Sequence, residues 1–150
     1  MKRTAIIITV LFSLLLVACQ STGQPAAQGT GDSLLVSGGG NEKTYTRANL
    51  EVLPSSQATF SDVTYLGVSV STLLKDAGFD SQEVKALKAV ASDGYTVNYD
   101  PSQFLGANVI VAYARPDGEL ANDDGVFRMV LPGAEGKLNL RKLVQLQVIQ

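Results

Sequence analysis

The chain has 150 residues, of which 45% are hydrophobic and 17% charged, and its formal net charge at pH 7 is −2. This length suits one domain with one core, and the lack of a basic excess argues against nucleic acid as a partner. There is no histidine, and Cys19 is the single cysteine. These counts exclude disulfides within the chain, zinc sites built from histidine or cysteine, and the Ser-His-Asp and Cys-His pairs of hydrolases.

The first residues, "MKRTAIIITVLFSLLLVAC", have a positively charged start and an apolar stretch over residues 5–17. That stretch is too short for a comfortable membrane span and predicts a secretory signal peptide over residues 1–18. The box Leu16-Val17-Ala18-Cys19 resembles the bacterial lipoprotein signal. This resemblance implies cleavage before Cys19 and attachment of lipid to its sulfur. The alternative is an ordinary cleaved signal followed by an unrelated cysteine.

The anchor predicts where the protein resides. Two or more acyl chains hold a protein stably on a bilayer, at about 0.8 kcal/mol per buried CH2, whereas one chain binds marginally. We therefore expect a protein of the cell envelope, lipid-anchored on the extracytoplasmic side of a bacterial membrane. Residues 19–33, "CQSTGQPAAQGTGDS", comprise this lipidated cysteine and a flexible tether. The remaining residues, 34–150, form the predicted domain.

The first half of the domain predicts strands around one small helix. Residues 34–37, "LLVS", predict an edge strand, followed by a turn at "GGGNE" and a short strand at "KTYT". Thr46 is placed to cap a helix, "RANLEVL", which Pro54 ends. Residues 58–70, "ATFSDVTYLGVSV", predict an extended segment with a bend at Gly67.

The second half continues this pattern. Residues 71–79, "STLLKDAGF", predict a helix, because Leu73 and Leu74 share an apolar face with Ala77 and Gly78 sits where a C-terminal cap belongs. "EVKALKAVAS" and "YTVNY" predict a hairpin turned at "DGY", and "DPSQFL" a one-turn helix. "NVIVAYA", "VFRMVLP" and "LVQLQVI" predict further strands, with the polar turn "RPDGELANDDG" between the first two. We therefore predict an α+β domain with mostly mixed or antiparallel β-sheet and a few short helices.

Six segments follow one another in an order that resembles the oxidoreductase molybdopterin-binding domain, the fold of sulfite oxidase and its bacterial relatives. They are "YTRANLEVLP", "YLGVSVSTLLKDAGF", "VASDGYTVNY", "VIVAYARPDGEL", "FRMVLPGAEG" and "LRKLVQLQV". The resemblance covers residues 34–150 and implies this fold. It also implies a molybdenum–pterin cofactor, with one cysteine thiolate on the metal and basic side chains on the pterin phosphate.

The metal ligand of that family is missing from this chain. The family's cysteine lies before the Gly-Val helix start, and the corresponding interval here, "ATFSDVTYLGV", contains none. Ser61 is a poor substitute, because an aliphatic hydroxyl ionises far less readily than a thiol and molybdenum favours a soft ligand. Cys19 lies far upstream in the anchor. The sequence therefore predicts no metal ligands and no cofactor, with molybdopterin as the alternative.

The cofactor cleft of the family still predicts candidate binding residues. Arg128 matches the arginine of a family strand, and Arg141 matches a lysine of a later segment, whereas Asp123 places a negative charge where the phosphate would sit. Asp93 and Tyr95 of the "DGY" turn are the other two candidates for an anion-binding cleft.

Each candidate also has a structural interpretation. Asp93 and Tyr95 fit a hairpin turn with a packed tyrosine, and Arg128 fits a pair with an internal carboxylate. Arg141, with Lys137 and Lys142 nearby, fits a solvated basic turn. The carboxylates of the 116–125 turn suit calcium in chemistry but not in spacing, so we expect a charged surface loop there.

Two functions follow. The first is a membrane-anchored lipoprotein whose domain has no catalytic residue and binds a small anionic ligand or an envelope protein partner. The alternative is a molybdopterin-dependent oxidoreductase with an atypical metal ligand.

Overall fold

The computed structural model describes residues 31–150. The predicted signal peptide (residues 1–18), Cys19 and the tether up to residue 30 lie outside the described residues. The strands, in chain order, are β1 Leu34–Gly38, β2 Asn41–Tyr45, β3 Ser55–Phe60, β4 Val63–Ser69, β5 Ala86–Ala91, β6 Thr96–Tyr99, β7 Ile110–Arg115, β8 Gly118–Glu119, β9 Arg128–Val130 and β10 Leu143–Ile149. The α-helices are α1 Arg47–Glu51, α2 Val70–Asp76 and α3 Pro101–Phe104, with 3-10 turns at Asn122–Asp124 and Gly136–Leu138.

These strands form two sheets of mixed and antiparallel pairing. The first sheet has the order β2-β1-β10-β5-β6, and only its β1–β10 pair is parallel. The second has the order β3-β4-β7-β8, with β9 also paired to β7, and all its pairs are antiparallel. The predicted fold class, α+β with mixed or antiparallel sheets and few short helices, is confirmed.

The prediction of an edge strand at residues 34–37 is wrong. β1 lies inside the first sheet, because it pairs with β2 on one side and with β10 on the other, Val36 opposite Leu146. The edge is β2, which begins at Asn41, a residue we had placed in the turn. Its burial pattern is exposed at every residue except Tyr45, as expected for a strand that faces solvent along one side.

Local sequence accounts for the short helices. Thr46 caps α1 and forms a capping box with Asn49, and Asp100 does the same for α3 with Gln103. Ser69 caps α2, which ends before Gly78 at φ +87°, a conformation that glycine adopts without strain. The predicted helices, residues 47–53, 71–79 and 100–105, agree with the observed bounds to within three residues at each end.

The segment predicted to be extended, residues 58–70, is extended in β3 and β4, but a turn at residues 61–62 folds it into a hairpin that the sequence did not predict. β3 and β4 pair antiparallel with Phe60 opposite Val63, and the turn residues Ser61 and Asp62 have φ values of 50° and 62°. A turn with two residues of positive φ matches the twist of a two-residue hairpin. Gly67 lies at a register shift in β4, where a Cβ would meet the carbonyl oxygen of Val111 at 2.1 Å. Leu66 pairs with Ala114 and Gly67 with Ala112, so the extra residue of this bulge is Tyr113 of β7, opposite the predicted bend.

The domain has a large core and a smaller one. The large core fills the space between the sheets and α2, with residues such as Leu34, Leu73, Leu87 and Phe104 fully buried. The smaller core contains Ala58, Tyr65, Ile110, Ala112 and Val130, residues of the second sheet, and Phe60 packs against it. Of the helices between residues 31 and 150, none is long and apolar enough to cross a membrane.

Candidate functional site

The four residues singled out from the sequence line one cavity. Asp93 and Tyr95 come from the β5–β6 turn, Arg128 begins β9, and Arg141 lies just before β10. Together they border a cavity of about 350 Å³, which we call the Arg141 cleft. The other lining residues are Phe60, Ala91, Gly136, Lys137, Asn139 and Leu140. Segments that are distant in sequence thus bring the four candidates to one place.

The β5–β6 turn orients its two candidates differently. The Asp93 carboxylate accepts the backbone N–H of Tyr95 at 3.0 Å, so it is engaged in stabilising the turn. Tyr95 is 51% exposed, which contradicts the expectation of a packed tyrosine. Its ring is therefore available at the mouth of the cleft, and the hairpin turn itself is as predicted.

Arg128 lies at the bottom of the site and is buried. Its Nη1 donates to Asp124 Oδ1 at 2.6 Å and to the Tyr65 hydroxyl at 2.8 Å, and Nη2 donates to the Asn139 carbonyl at 3.3 Å. The guanidinium also lies over the Tyr65 ring, 4.6 Å from its centroid. Of the two interpretations left open by the sequence, the structure has the pair with an internal carboxylate.

The buried partner of Arg128 is Asp124. The sequence indicated its neighbour, Asp123, as the negative charge of the cleft. Asp123 is exposed, whereas the Asp124 side chain is 5% exposed. Asp124 receives three arginines: Arg128 at 2.6 Å, Arg115 at 3.4 Å and Arg141 at 3.6 Å. We call these four residues the Asp124 cluster. Its one sequence signal is that Asp124 precedes Arg128 by four residues. The expectation of a charged surface loop at 116–125 fits exposed residues such as Asp117 and Asp123 but not the buried Asp124.

Arg141 and Lys137 form the exposed side of the site. The Arg141 side chain is 61% exposed and contacts Asp124 only through Nε, at 3.6 Å. Lys137 lies 2.7 Å from Glu135, and this hydrogen bond raises the pKa of the Lys137 ammonium. Both side chains reach solvent at the rim of the cleft.

The loop that carries these cations is held in place by buried groups. The Asn139 side chain accepts from the Leu131 N–H at 2.7 Å and donates to the Glu135 carbonyl at 3.2 Å. The Tyr99 hydroxyl donates to the Leu138 carbonyl at 2.6 Å. Burial raises the pKa of Tyr99 and keeps this donor protonated. The rim is therefore preorganised.

A larger cavity, of about 600 Å³, lies on another part of the surface and has a weaker case as a site. Its arginine, Arg47, is already paired with Glu51 at 2.8 Å and with Glu119 at 3.2 Å. Two carboxylates therefore compensate one guanidinium there. The lining of the larger cavity has two cations and two carboxylates, whereas that of the Arg141 cleft has three cations and one carboxylate. The cleft is therefore the better candidate for an anion.

The residues around the cleft do not match a molybdenum–pterin cofactor. A soft metal favours a thiolate, but Cys19 is the single cysteine and the chain has no histidine. Ser61 lies at the β3–β4 turn and borders a second cavity, beside the Asp124 cluster, of about 290 Å³. Among residues 31–150, no group of three or more His, Cys, Asp or Glu side chains is placed to hold a metal ion. The position among the arginines that suits a phosphate holds the Asp124 carboxylate.

Comparisons with known proteins agree with the fold. A family model described as the oxidoreductase molybdopterin binding domain matches residues 33–150. Among solved structures, the sulfane dehydrogenase SoxCD from Paracoccus pantotrophus is similar, with a TM-score of 0.66 and 19% sequence identity. The match covers 82% of this chain and 40% of that one, so this chain spans less than half the length of the SoxCD chain. No curated protein matches significantly.

Proposed function

Because this chain belongs to the oxidoreductase molybdopterin-binding domain family but lacks its metal-ligand cysteine, we propose that it is a non-catalytic module that binds a small anion. The observation that supports this most is the difference between two arginines of the Arg141 cleft. Arg128 is buried and paired with Asp124, whereas Arg141 lies at the rim, largely exposed. An exposed, oriented guanidinium is sufficient for binding an anion, whereas redox chemistry needs a metal ligand as well.

The shape and charge of the cleft favour a ligand of a few heavy atoms with one or two negative charges. Its volume of about 350 Å³ is at the small end of ligand pockets. Arg141 offers planar N–H donors that match a carboxylate, phosphate or sulfur oxyanion, and Lys137 adds a point charge. Asp93 adds a negative charge to the lining and so disfavours a large anion, although its carboxylate is partly satisfied by the turn.

Titration of the purified protein with phosphate, sulfate, sulfite and acetate, followed by NMR, tests this function. We expect saturable shifts at the Arg141 cleft for at least one anion and about tenfold weaker binding in Arg141→Gln, since a charge-assisted hydrogen bond is lost. Arg47→Gln is the matched control, because it removes an arginine from the larger cavity. No saturable shift with any of the four, or equal binding by both variants, would contradict the proposal.

The anchor is a separate part of the proposal. We expect Cys19 to carry lipid and to hold the domain on the extracytoplasmic side of a bacterial membrane, because a Leu-Val-Ala-Cys box follows an apolar stretch. Expression with a labelled fatty acid tests this. Cys19→Ser should incorporate no label and remain unprocessed or soluble, whereas Ser21→Ala should behave as the wild type. A labelled and processed Cys19→Ser protein would contradict the anchor.

Family membership favours a second function, a molybdopterin-dependent oxidoreductase with an atypical ligand. This function requires a bound chromophore and activity with an artificial electron acceptor. Absorbance spectra and dye-linked assays of protein made in a molybdenum-replete host distinguish it from the first. A colourless, inactive protein that still binds an anion supports the non-catalytic module.

A further inference from the structure

The Asp124 cluster consists of three arginines, the usual donors of an anion-binding site, around a carboxylate that belongs to the chain itself. Three guanidinium groups from separate segments converge on one carboxylate: Arg115 ends β7, Arg128 begins β9 and Arg141 precedes β10. Three positive charges against one negative leave an excess of positive charge around a side chain that is 5% exposed. A structural ion pair needs one arginine. Here Arg128 and Arg141 contact Oδ1 of the carboxylate and Arg115 contacts Oδ2.

Arg115 and Arg128 do not depend on Asp124 alone for their positions. Arg128 also donates to the Tyr65 hydroxyl at 2.8 Å and to the Asn139 carbonyl at 3.3 Å. Arg115 and Arg128 both lie over the Tyr65 ring, 5.8 and 4.6 Å from its centroid. Removal of the carboxylate should therefore leave the Arg115 and Arg128 donors close to where they are.

The backbone that carries Asp124 is held independently of its side chain. The Asp124 N–H donates to Ala121 at 2.8 Å, and the Asp124 carbonyl accepts the Lys142 N–H at 2.7 Å. Gly125 follows at φ +75°, where a Cβ would lie 2.9 Å from the Lys142 Cα. The 3-10 turn at Asn122–Asp124 is thus anchored on β10, and truncation at residue 124 should leave the turn in place.

The position of the carboxylate can be reached from solvent. Asp124 and its three arginines border the second cavity, of about 290 Å³, together with Phe60, Ser61, Val63, Tyr65, Ala121 and Asp123. Acetate or formate has the same acceptor geometry as the Asp124 carboxylate and is much smaller than this cavity. A small carboxylate can therefore enter and meet the same N–H groups.

We propose that Arg115, Arg128 and Arg141 form a binding site for a small carboxylate and that Asp124 is its resident, competing ligand. In the wild type the chain occupies its own site, and an anion binds only to the outer donors of Arg141. Without the Asp124 side chain, the site accepts a carboxylate from solution. This inference concerns the arginines behind the Arg141 cleft and does not require that the cleft bind a ligand.

Chemical rescue of Asp124→Ala by acetate tests the inference. The full-length protein, purified in a buffer without carboxylates, is heated with sodium acetate or with sodium chloride at equal ionic strength. We expect Asp124→Ala to unfold at a lower temperature than the wild type. Acetate at about ten times its dissociation constant should then raise the midpoint by roughly 5 °C more than chloride does.

Three controls isolate the site. The wild type and Asp123→Ala, which changes an exposed carboxylate on the same cavity, should gain much less from acetate. Asp124→Asn keeps the shape of the side chain in the site, so it should be destabilised without rescue. If Asp124→Ala is too unstable to purify folded, its refolding yield with acetate against chloride replaces the midpoint.

Equal effects of acetate and chloride on Asp124→Ala, or equal acetate effects on the variant and the wild type, would overturn the inference. Failure of the wild type to bind any anion concerns the proposed function instead. The acetate experiment on Asp124→Ala therefore tests the inference, and the anion titration of the wild type tests the proposed function.

Discussion

Two clusters in this domain use the same chemistry in different surroundings. In the Asp124 cluster, an aspartate and a tyrosine meet arginines, and the Asp124 and Arg128 side chains are 5% and 3% exposed. In the second, which we call the Asp76 cluster, Asp76 accepts from Lys43 at 2.8 Å and from Tyr45 at 2.6 Å, and its ion pair is 30% and 46% exposed. Both clusters connect segments distant in sequence, but only the first contains a fully buried ion pair, Asp124 with Arg128.

The difference shows how burial changes the role of an ion pair. The Asp124–Arg128 pair is buried, so removing one partner leaves a charge that water compensates poorly. The Asp76 cluster joins the edge strand β2 to the end of α2, and either charge can be resolvated if the other is removed. We therefore expect mutations in the first cluster to destabilise the fold and those in the second to have modest effects.

The largest effect is expected for Arg128→Met. This change leaves Asp124 with Arg115 and Arg141, at 3.4 and 3.6 Å, and should reduce the free energy of unfolding by about 3–5 kcal/mol in urea denaturation. Arg115→Met is the matched control and should cost clearly less, because Arg115 is partly exposed and more distant from Asp124. Equal losses in the two variants would remove the distinction between the buried pair and its neighbours.

A double change sharpens the same point. Arg128→Met combined with Asp124→Leu replaces the buried pair by apolar side chains. Because it removes both charges of the buried pair and leaves only the more exposed Arg115 and Arg141 unpaired, it should recover at least about half of the loss of Arg128→Met. The measurement is a double-mutant cycle by urea denaturation. A double variant less stable than Arg128→Met would show that Asp124 contributes chiefly through its other arginines.

An intermediate effect is expected for Tyr45→Phe. The Tyr45 ring is buried in the large core, and its hydroxyl donates to the charged Asp76 carboxylate at 2.6 Å. Removal of the hydroxyl should therefore cost about 1–2 kcal/mol in the free energy of unfolding. Tyr95→Phe removes the hydroxyl of a half-exposed ring and should stay within about 0.5 kcal/mol of the wild type. A Tyr45→Phe variant with the same free energy of unfolding as the wild type would show that the hydrogen bond from Tyr45 to Asp76 does not stabilise the fold.

The smallest effect is expected for Lys43→Met, at about 0.5 kcal/mol or less, decreasing as salt is added. Hydrogen bonds from Lys43 and then from Tyr45 hold the pKa of Asp76 below its ordinary value. The stability they contribute is therefore present above the unfolded aspartate pKa of about 3.9 and is lost as the pH falls through the lower folded value. Lys43→Met should move the pKa of Asp76 upward in an NMR titration. An unchanged pKa would contradict the pairing.

Local signals in the sequence predicted much of the fold. Capping residues such as Thr46 and Asp100 and the glycine at Gly78 determine where a helix begins or ends within a few residues. The Ser61–Asp62 turn was missed because neither residue is a glycine or asparagine, the usual signals of positive φ. The interior position of β1 depends on its pairing with β10, more than 100 residues later, which no local pattern reveals.

The sequence predicted which residues lie at the candidate site better than it predicted which side chains contact one another there. Asp93, Tyr95, Arg128 and Arg141 were chosen from the sequence, and they line the same cavity. The choice between Asp123 and Asp124 depends on the phase of one 3-10 turn, which composition does not encode. Arg115 and Tyr65 gave no signal, because their roles arise only when β4, β7 and β9 are brought side by side.

Molybdenum and pterin content tests the central claim most directly, namely that this family member has replaced its cofactor site by an internal ion pair. The protein is produced in a molybdenum-replete host, purified without denaturation, and analysed by mass spectrometry for metal and for the pterin. We expect neither above the background of an unrelated lipoprotein purified in parallel. Molybdenum and pterin in equal, stoichiometric amounts with the chain would contradict it.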